Sequence, residues 1–103
     1  MGLKGLDEYA LLTLYLIYVA EERGTHILAV KKKLKGIIEP KIVEKSIVSL
    51  KNRNIVVGTG QYRGRYSNGR PSWTPFIKVP ENYRGELEYL FSKRPDIYEK
   101  LKT

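Results

Sequence analysis

Apolar residues cluster along this chain in a few blocks whose spacing changes character. From Tyr9 to Val19 they are nearly continuous, with Leu11, Leu12, Leu14, Tyr15, Leu16, Ile17, Tyr18 and Val19 in one run. A surface helix of a small domain needs only one apolar stripe. This run therefore predicts either the central helix of a core or a helix with one face on a second subunit. Asp7 is suited to its N-cap and Glu8 to its first turn, and the helix is expected to run to Arg23 and stop at Gly24. Thr25 is the expected N-cap of a second helix over His26–Lys35, closed by Gly36, with Ile27, Val30 and Leu34 as its buried stripe. Pro40 opens a third helix through Arg53, because proline is favoured where its missing N–H would be unpaired. Val43, Ile47 and Leu50 define its buried face, and Asn54 suits a left-handed stop. Lys41, Glu44, Lys45, Val48 and Ser49 face outward, with Ile42 at the margin.

The pattern then changes. Ile55-Val56-Val57 is β-branched and predicts a strand. A return strand is expected from Ser72 or Trp73 to Val79, with Pro75 demoting it to an edge or forcing a bulge. Between them Asn68-Gly69 suits a tight turn. After Pro80 a last segment carries Leu87, Leu90 and Phe91 on one stripe, Pro95 breaks or kinks it, and Asp96 can cap a final turn. The fold class is thus α+β, mainly α: three helices, a β-hairpin and a C-terminal helix. The 103 residues make one domain, with 7–80 as its core and 81–103 as a helical extension.

Charge alters this picture more than composition does. The hydrophobic fraction, 42%, and the charged fraction, 29%, are those of an ordinary globular protein. The net charge is +8, and it is unevenly placed. Residues 25–53 hold seven lysines and Arg53 against Glu39 and Glu44, while 54–77 add Arg63, Arg65 and Arg70 with no acid. Residues 1–24 are net acidic. Concentrated positive charge of this kind points to a polyanion, and so to nucleic acid.

Other chemistries find little support. With no cysteine there is no disulfide, thiolate zinc site or cysteine nucleophile. His26 is the sole histidine and has no partner for catalysis or metal binding, so no enzyme, metal or cofactor is expected. Gly58-Thr59-Gly60 lacks the Gly-Lys-Ser/Thr and the helix that a phosphate loop needs. The apolar run of 9–20 is too short to span a bilayer and lacks the flanks of a signal peptide, so a cytoplasmic protein is expected.

The order of elements, with Val43-x3-Ile47-x2-Leu50-x3-Asn54-Ile55-Val56 leading from helix into strand, resembles a winged helix-turn-helix DNA-binding domain. Such domains occur in MarR-type and PadR-type transcription regulators and in small archaeal and archaeal-virus proteins. Two departures are visible: Lys31 stands where the family usually has a small residue, and the wing, 58–71, is long.

The resemblance implies a transcription regulator whose third helix enters the major groove of double-stranded DNA. Lys41, Glu44, Lys45 and Ser49 would face base edges or nearby phosphates, with Glu44 accepting from cytosine N4. The plainer expectation for Glu44 is a surface pair with a neighbouring lysine such as Lys41. Arg63, Arg65 and Arg70 would follow phosphates or enter the minor groove, with Tyr62, Tyr66 and Asn68 donating to phosphates. Thr25, His26, Lys32 and Lys33 would supply backbone contacts. A homodimer through the first and C-terminal helices is expected. The alternatives are binding of RNA or single strands, with the wing tyrosines stacking on bases, and a protein-interaction module.

Overall fold

The computed structural model describes the backbone of residues 5–65, 67–69 and 71–102, and their side chains except those of 60–65, 71–75 and 102. Within them lie five α-helices and a three-stranded antiparallel sheet. The helices are α1 (Glu8–Tyr18), α2 (Ile27–Lys33), α3 (Pro40–Asn52), α4 (Glu81–Ser92) and α5 (Pro95–Lys102). The strands are β1 (Thr25–His26), β2 (Val57–Arg65) and β3 (Pro71–Lys78), in the spatial order β1-β3-β2.

The continuous apolar run of α1 is explained by its position. It packs against α2, α3, α4, α5 and β3. Leu12, Thr13, Leu14 and Ile17 are fully enclosed, and Ala10 and Leu11 nearly so. Asp7 caps the helix as expected, its Oδ1 accepting from the Ala10 N–H at 2.8 Å. The other end differs from expectation. The helix stops at Tyr18 instead of Arg23, and a 3-10 turn over Glu21–Arg23 follows, with Glu21 at φ +57°. The cause is tertiary: Gly24 must bring the chain alongside β3, so that Thr25 pairs with Ile77 and His26 with Phe76. Gly24 adopts φ +76°, and a Cβ there would lie 2.8 Å from the Ile77 carbonyl oxygen. Only glycine fits both requirements.

Because Thr25 is drawn into β1, the N-cap of α2 moves to His26. Its Nδ1 accepts from the Leu28 N–H at 2.9 Å. The helix is correspondingly shorter than His26–Lys35. Val30 and Leu34 are buried as predicted and Ile27 packs partly into the core.

α3 follows its sequence pattern closely. Pro40 occupies its first turn, and Val43, Ile47 and Leu50 are buried, as is the small Ser46 between them. It ends in the paired hydrogen bonds of a Schellman motif, Ile55 N–H to the Leu50 carbonyl at 3.0 Å and Asn54 N–H to that of Lys51 at 3.0 Å. Asn54 takes the left-handed position at φ +60°. Ile55 and Val56, buried to 0% and 1% exposure, anchor this exit to the core before β2 begins at Val57.

The hairpin is more strand than loop. β2 and β3 pair from Val57↔Lys78 to Arg65↔Pro71, and a turn containing Asn68 and Gly69 (φ +84°) lies between them. Pro75 does not make β3 an edge strand; β3 is central in the sheet. β1 covers only Phe76 and Ile77, so Pro75, opposite Gly60, sits just beyond the reach of β1. The register shift falls elsewhere, between Tyr62 and Gly64, which leaves Arg63 as the extra residue of a bulge.

The C-terminal segment is two helices, not one with a final turn. Leu87 and Ile97 are fully buried, and Phe91 meets Tyr15 edge-on with centroids 5.0 Å apart. Asp96 lies inside the first turn of α5 instead of capping it. It pairs with Arg94 at 2.9 Å, and Arg94 also reaches Glu8 at 3.0 Å. Lys100 pairs with Glu8 as well. This cluster ties α5 to the start of α1. Hydrogen bonds from Lys100 and then Arg94 hold the Glu8 carboxyl below its ordinary pKa, and Arg94 does the same for Asp96. Among the described residues no helix is long and apolar enough to cross a membrane.

Candidate nucleic-acid interface

The buried side of α3 fixes what its outer side presents. At 100° per residue, the direction opposite Val43, Ser46, Ile47 and Leu50 is taken by Lys41, Lys45, Val48 and Asn52. All four are exposed. Glu44 and Lys51 lie on one flank, Ser49, Ile42 and Arg53 on the other. Asn52 did not emerge as a candidate from the sequence. It stands eleven residues, close to three full turns, after Lys41, and projecting the helix onto a wheel finds it.

Glu44 makes the expected surface pair with a lysine, but the partner is not Lys41. It forms an ion pair with Lys31, which reaches across from α2. The Lys31 side chain is 20% exposed and that of Glu44 55%. Lys31, unusual for the family resembled, thus occupies the junction of α2 and α3 and neutralises the one acid on this side of α3. Ser49 keeps its exposure but borders a groove of about 290 Å³ between α3 and the segment leading into α1, together with Lys45, Arg53, Gly5 and Asp7.

The α2 residues divide. Lys32 is exposed. Lys33 lines a cleft with Tyr15, Leu16, Val19, Tyr98 and Leu101, which groups it with α1 and α5 instead of α3. Thr25 and His26 are half-buried in the sheet. The His26 ring stands edge-on to Phe76 at 6.0 Å, and its Nδ1 is committed to capping α2. Of its two nitrogens Nε2 remains to donate to a phosphate.

In the hairpin, the backbone places Arg63 at the bulge and Arg65 at the end of β2. Asn68 is exposed in the turn. Tyr66 and Arg70 lie outside the described residues, as do the side chains of Tyr62, Arg63 and Arg65. One cation at the base of the hairpin was not singled out from the sequence. The Lys51 Nζ lies 3.7 Å from the point where a Cβ of Gly58 would stand. The Lys51 ammonium group thus lies against the backbone of Gly58, between α3 and β2. No run of apolar spacing could signal that approach, since it links two different elements.

Among the described residues no three His, Asp or Glu side chains gather in a way that could hold a metal. The arrangement is therefore a cationic, largely polar helix face beside a hairpin whose sequence, 54–77, contains three arginines and no acid. No family model matches the chain, and no curated protein or solved structure gives a significant match.

Proposed function

We propose that this chain is a winged helix-turn-helix protein that binds double-stranded DNA in a sequence-specific manner and acts inside the cell as a transcription regulator. α3 is its recognition helix, and the β2–β3 hairpin is its wing. The observation that carries the reading is the outer face of α3. Lys41, Lys45, Val48 and Asn52 are exposed on a helix whose opposite side is fully anchored, and its one acid on that side is held by Lys31. A rigid helix of 13 residues is about 20 Å long and fits the major groove, where all four base pairs differ in donor and acceptor pattern. The element order and the β1-β3-β2 sheet support the same reading, since they set a long hairpin directly after this helix.

A homodimer through α1 and the C-terminal helices accompanies this proposal. Tyr9, Val19 and Tyr98 are exposed to 45%, 45% and 51%, and the cleft of Tyr15, Leu16, Val19 and Leu101 is mostly apolar. A two-fold pair of recognition helices would read half-sites about one helical turn, or a multiple, apart.

The test is competition among duplex DNA, single-stranded DNA and RNA for the protein, followed by a salt titration of the preferred ligand. Duplex DNA is expected to win. Arg65→Ala is expected to weaken binding to all sequences alike and to reduce the slope of log affinity against log salt by about 0.9. Affinity independent of salt overturns the proposal, as does preference for RNA or single strands.

A further inference from the structure

The outer face of α3 carries a single apolar side chain at its centre. Val48 is 56% exposed, and the residues three and four positions away, Glu44, Lys45, Lys51 and Asn52, are all polar and exposed. Lone exposed aliphatic residues are common on proteins and need no function. Val48 differs in its surroundings. It contributes nothing to the buried face of Val43, Ser46, Ile47 and Leu50. A β-branched residue is also a poorer choice for an exposed helical site than the straight-chain polar residues beside it, so helix formation does not explain it. Glu44, one turn earlier, is held by Lys31, and the valine methyl groups stand exposed between Lys45 and Asn52.

The occupant that suits such a site follows from the chemistry of the major groove. Base edges there present donors, acceptors and one kind of apolar group, the C5-methyl of thymine. The lysines bordering Val48 favour a polyanion over an apolar protein partner. We propose that Val48 is a specificity-determining residue that packs its methyl groups against the C5-methyl of a thymine, while Lys45 and Asn52 meet the neighbouring bases. This rests on α3 being the helix that enters the groove.

The experiment takes a duplex recovered by selection from random DNA and replaces each thymine in turn with 2′-deoxyuridine. That change removes only the methyl group and leaves pairing and protein folding untouched. At one thymine in each half-site the full chain is expected to lose affinity by about fourfold, the value of burying one methyl-sized group. Val48→Ala is expected to bind the thymine and deoxyuridine duplexes equally, with an unchanged salt slope. Indifference of the natural protein to every replacement overturns the inference, and so does full methyl sensitivity in the Val48→Ala variant. If salt-dependent duplex binding is present without methyl sensitivity, only this inference falls. If no duplex is bound at all, the DNA-binding proposal falls and takes the inference with it.

Discussion

Replacing Glu44 by glutamine separates two possible roles of the same residue. In the structure Glu44 neutralises Lys31 across the α2–α3 junction. The proposal then places six cations for phosphate contact: Lys32, Lys41 and Lys51 on the helices, and Arg63, Arg65 and Arg70 in the hairpin sequence. Each neutralised phosphate contributes about −0.9 to the slope of log affinity against log salt, so the natural protein should show a slope near roughly −5.4. Raising salt from about 50 to about 200 mM then costs on the order of 10³ in affinity. Glu44→Gln keeps the shape of the side chain, removes a negative charge from the side proposed to face DNA and releases Lys31. Binding should tighten at low salt for every sequence, and the slope should steepen by about 0.9. The stability change should stay within about 1 kcal/mol, because half-exposed ion pairs contribute little. Fluorescence anisotropy with a labelled duplex over a salt series reads both affinity and slope, and a denaturant melt checks the fold. If Glu44 instead accepts from a cytosine N4, the variant loses roughly 1–3 kcal/mol on one preferred sequence with no change of slope. That outcome would refute a role for Glu44 confined to neutralising Lys31.

Three further outcomes test the fold beneath the site. Leu50→Ala removes a fully buried side chain behind α3 and should destabilise the protein by about 2–5 kcal/mol in a denaturant melt; a loss below about 1 kcal/mol would mean the face is not anchored as described. Gly24→Ala and Gly36→Ala form a matched pair, since both positions have positive φ but only Gly24 faces backbone, at 2.8 Å from the Ile77 oxygen. Gly36→Ala should cost about 1 kcal/mol and Gly24→Ala clearly more; equal costs would count against the β1–β3 contact. The pH dependence follows from Glu8 and Asp96, whose pKa values are lowered in the folded protein from ordinary values of 4.5 and 3.8. Their contribution is fully present above those ordinary values and is lost as pH falls through the lower folded ones. Glu8→Gln should therefore lower the melting temperature at neutral pH, and the difference from the natural protein should shrink below about pH 4. A difference that grows on acidification would contradict stabilisation by the ionised Glu8 carboxylate.

Much of the architecture is written in short-range signals. The Asp7 cap, Pro40 in the first turn of α3, the Val43/Ile47/Leu50 spacing and the left-handed Asn54 all act within a few residues of themselves. The first marks the start of α1, and the others determine α3 and its exit into the hairpin. The acid-free character of 54–77 is likewise a property of sequence alone. The near-continuous apolar run of α1 predicted either a central helix or one with a face on a second subunit, and α1 packs against four helices and a strand of its own chain.

What tertiary structure decided lies where distant segments compete for the same backbone or the same charge. A two-residue strand has no sequence signature; Thr25 and His26 become β1 only because β3, some fifty residues later, offers hydrogen bonds to them. That pairing ends α1 early, shifts the cap of α2 to His26 and commits the Nδ1 of that histidine to the Leu28 N–H. Glu44 meets Lys31 thirteen residues away because α2 and α3 cross, although Lys41 is nearer in sequence. Lys33 joins α1 and α5 for the same kind of reason. The residues a helix can present follow from its own periodicity, whereas the partner each charge takes depends on which element the fold lays beside it.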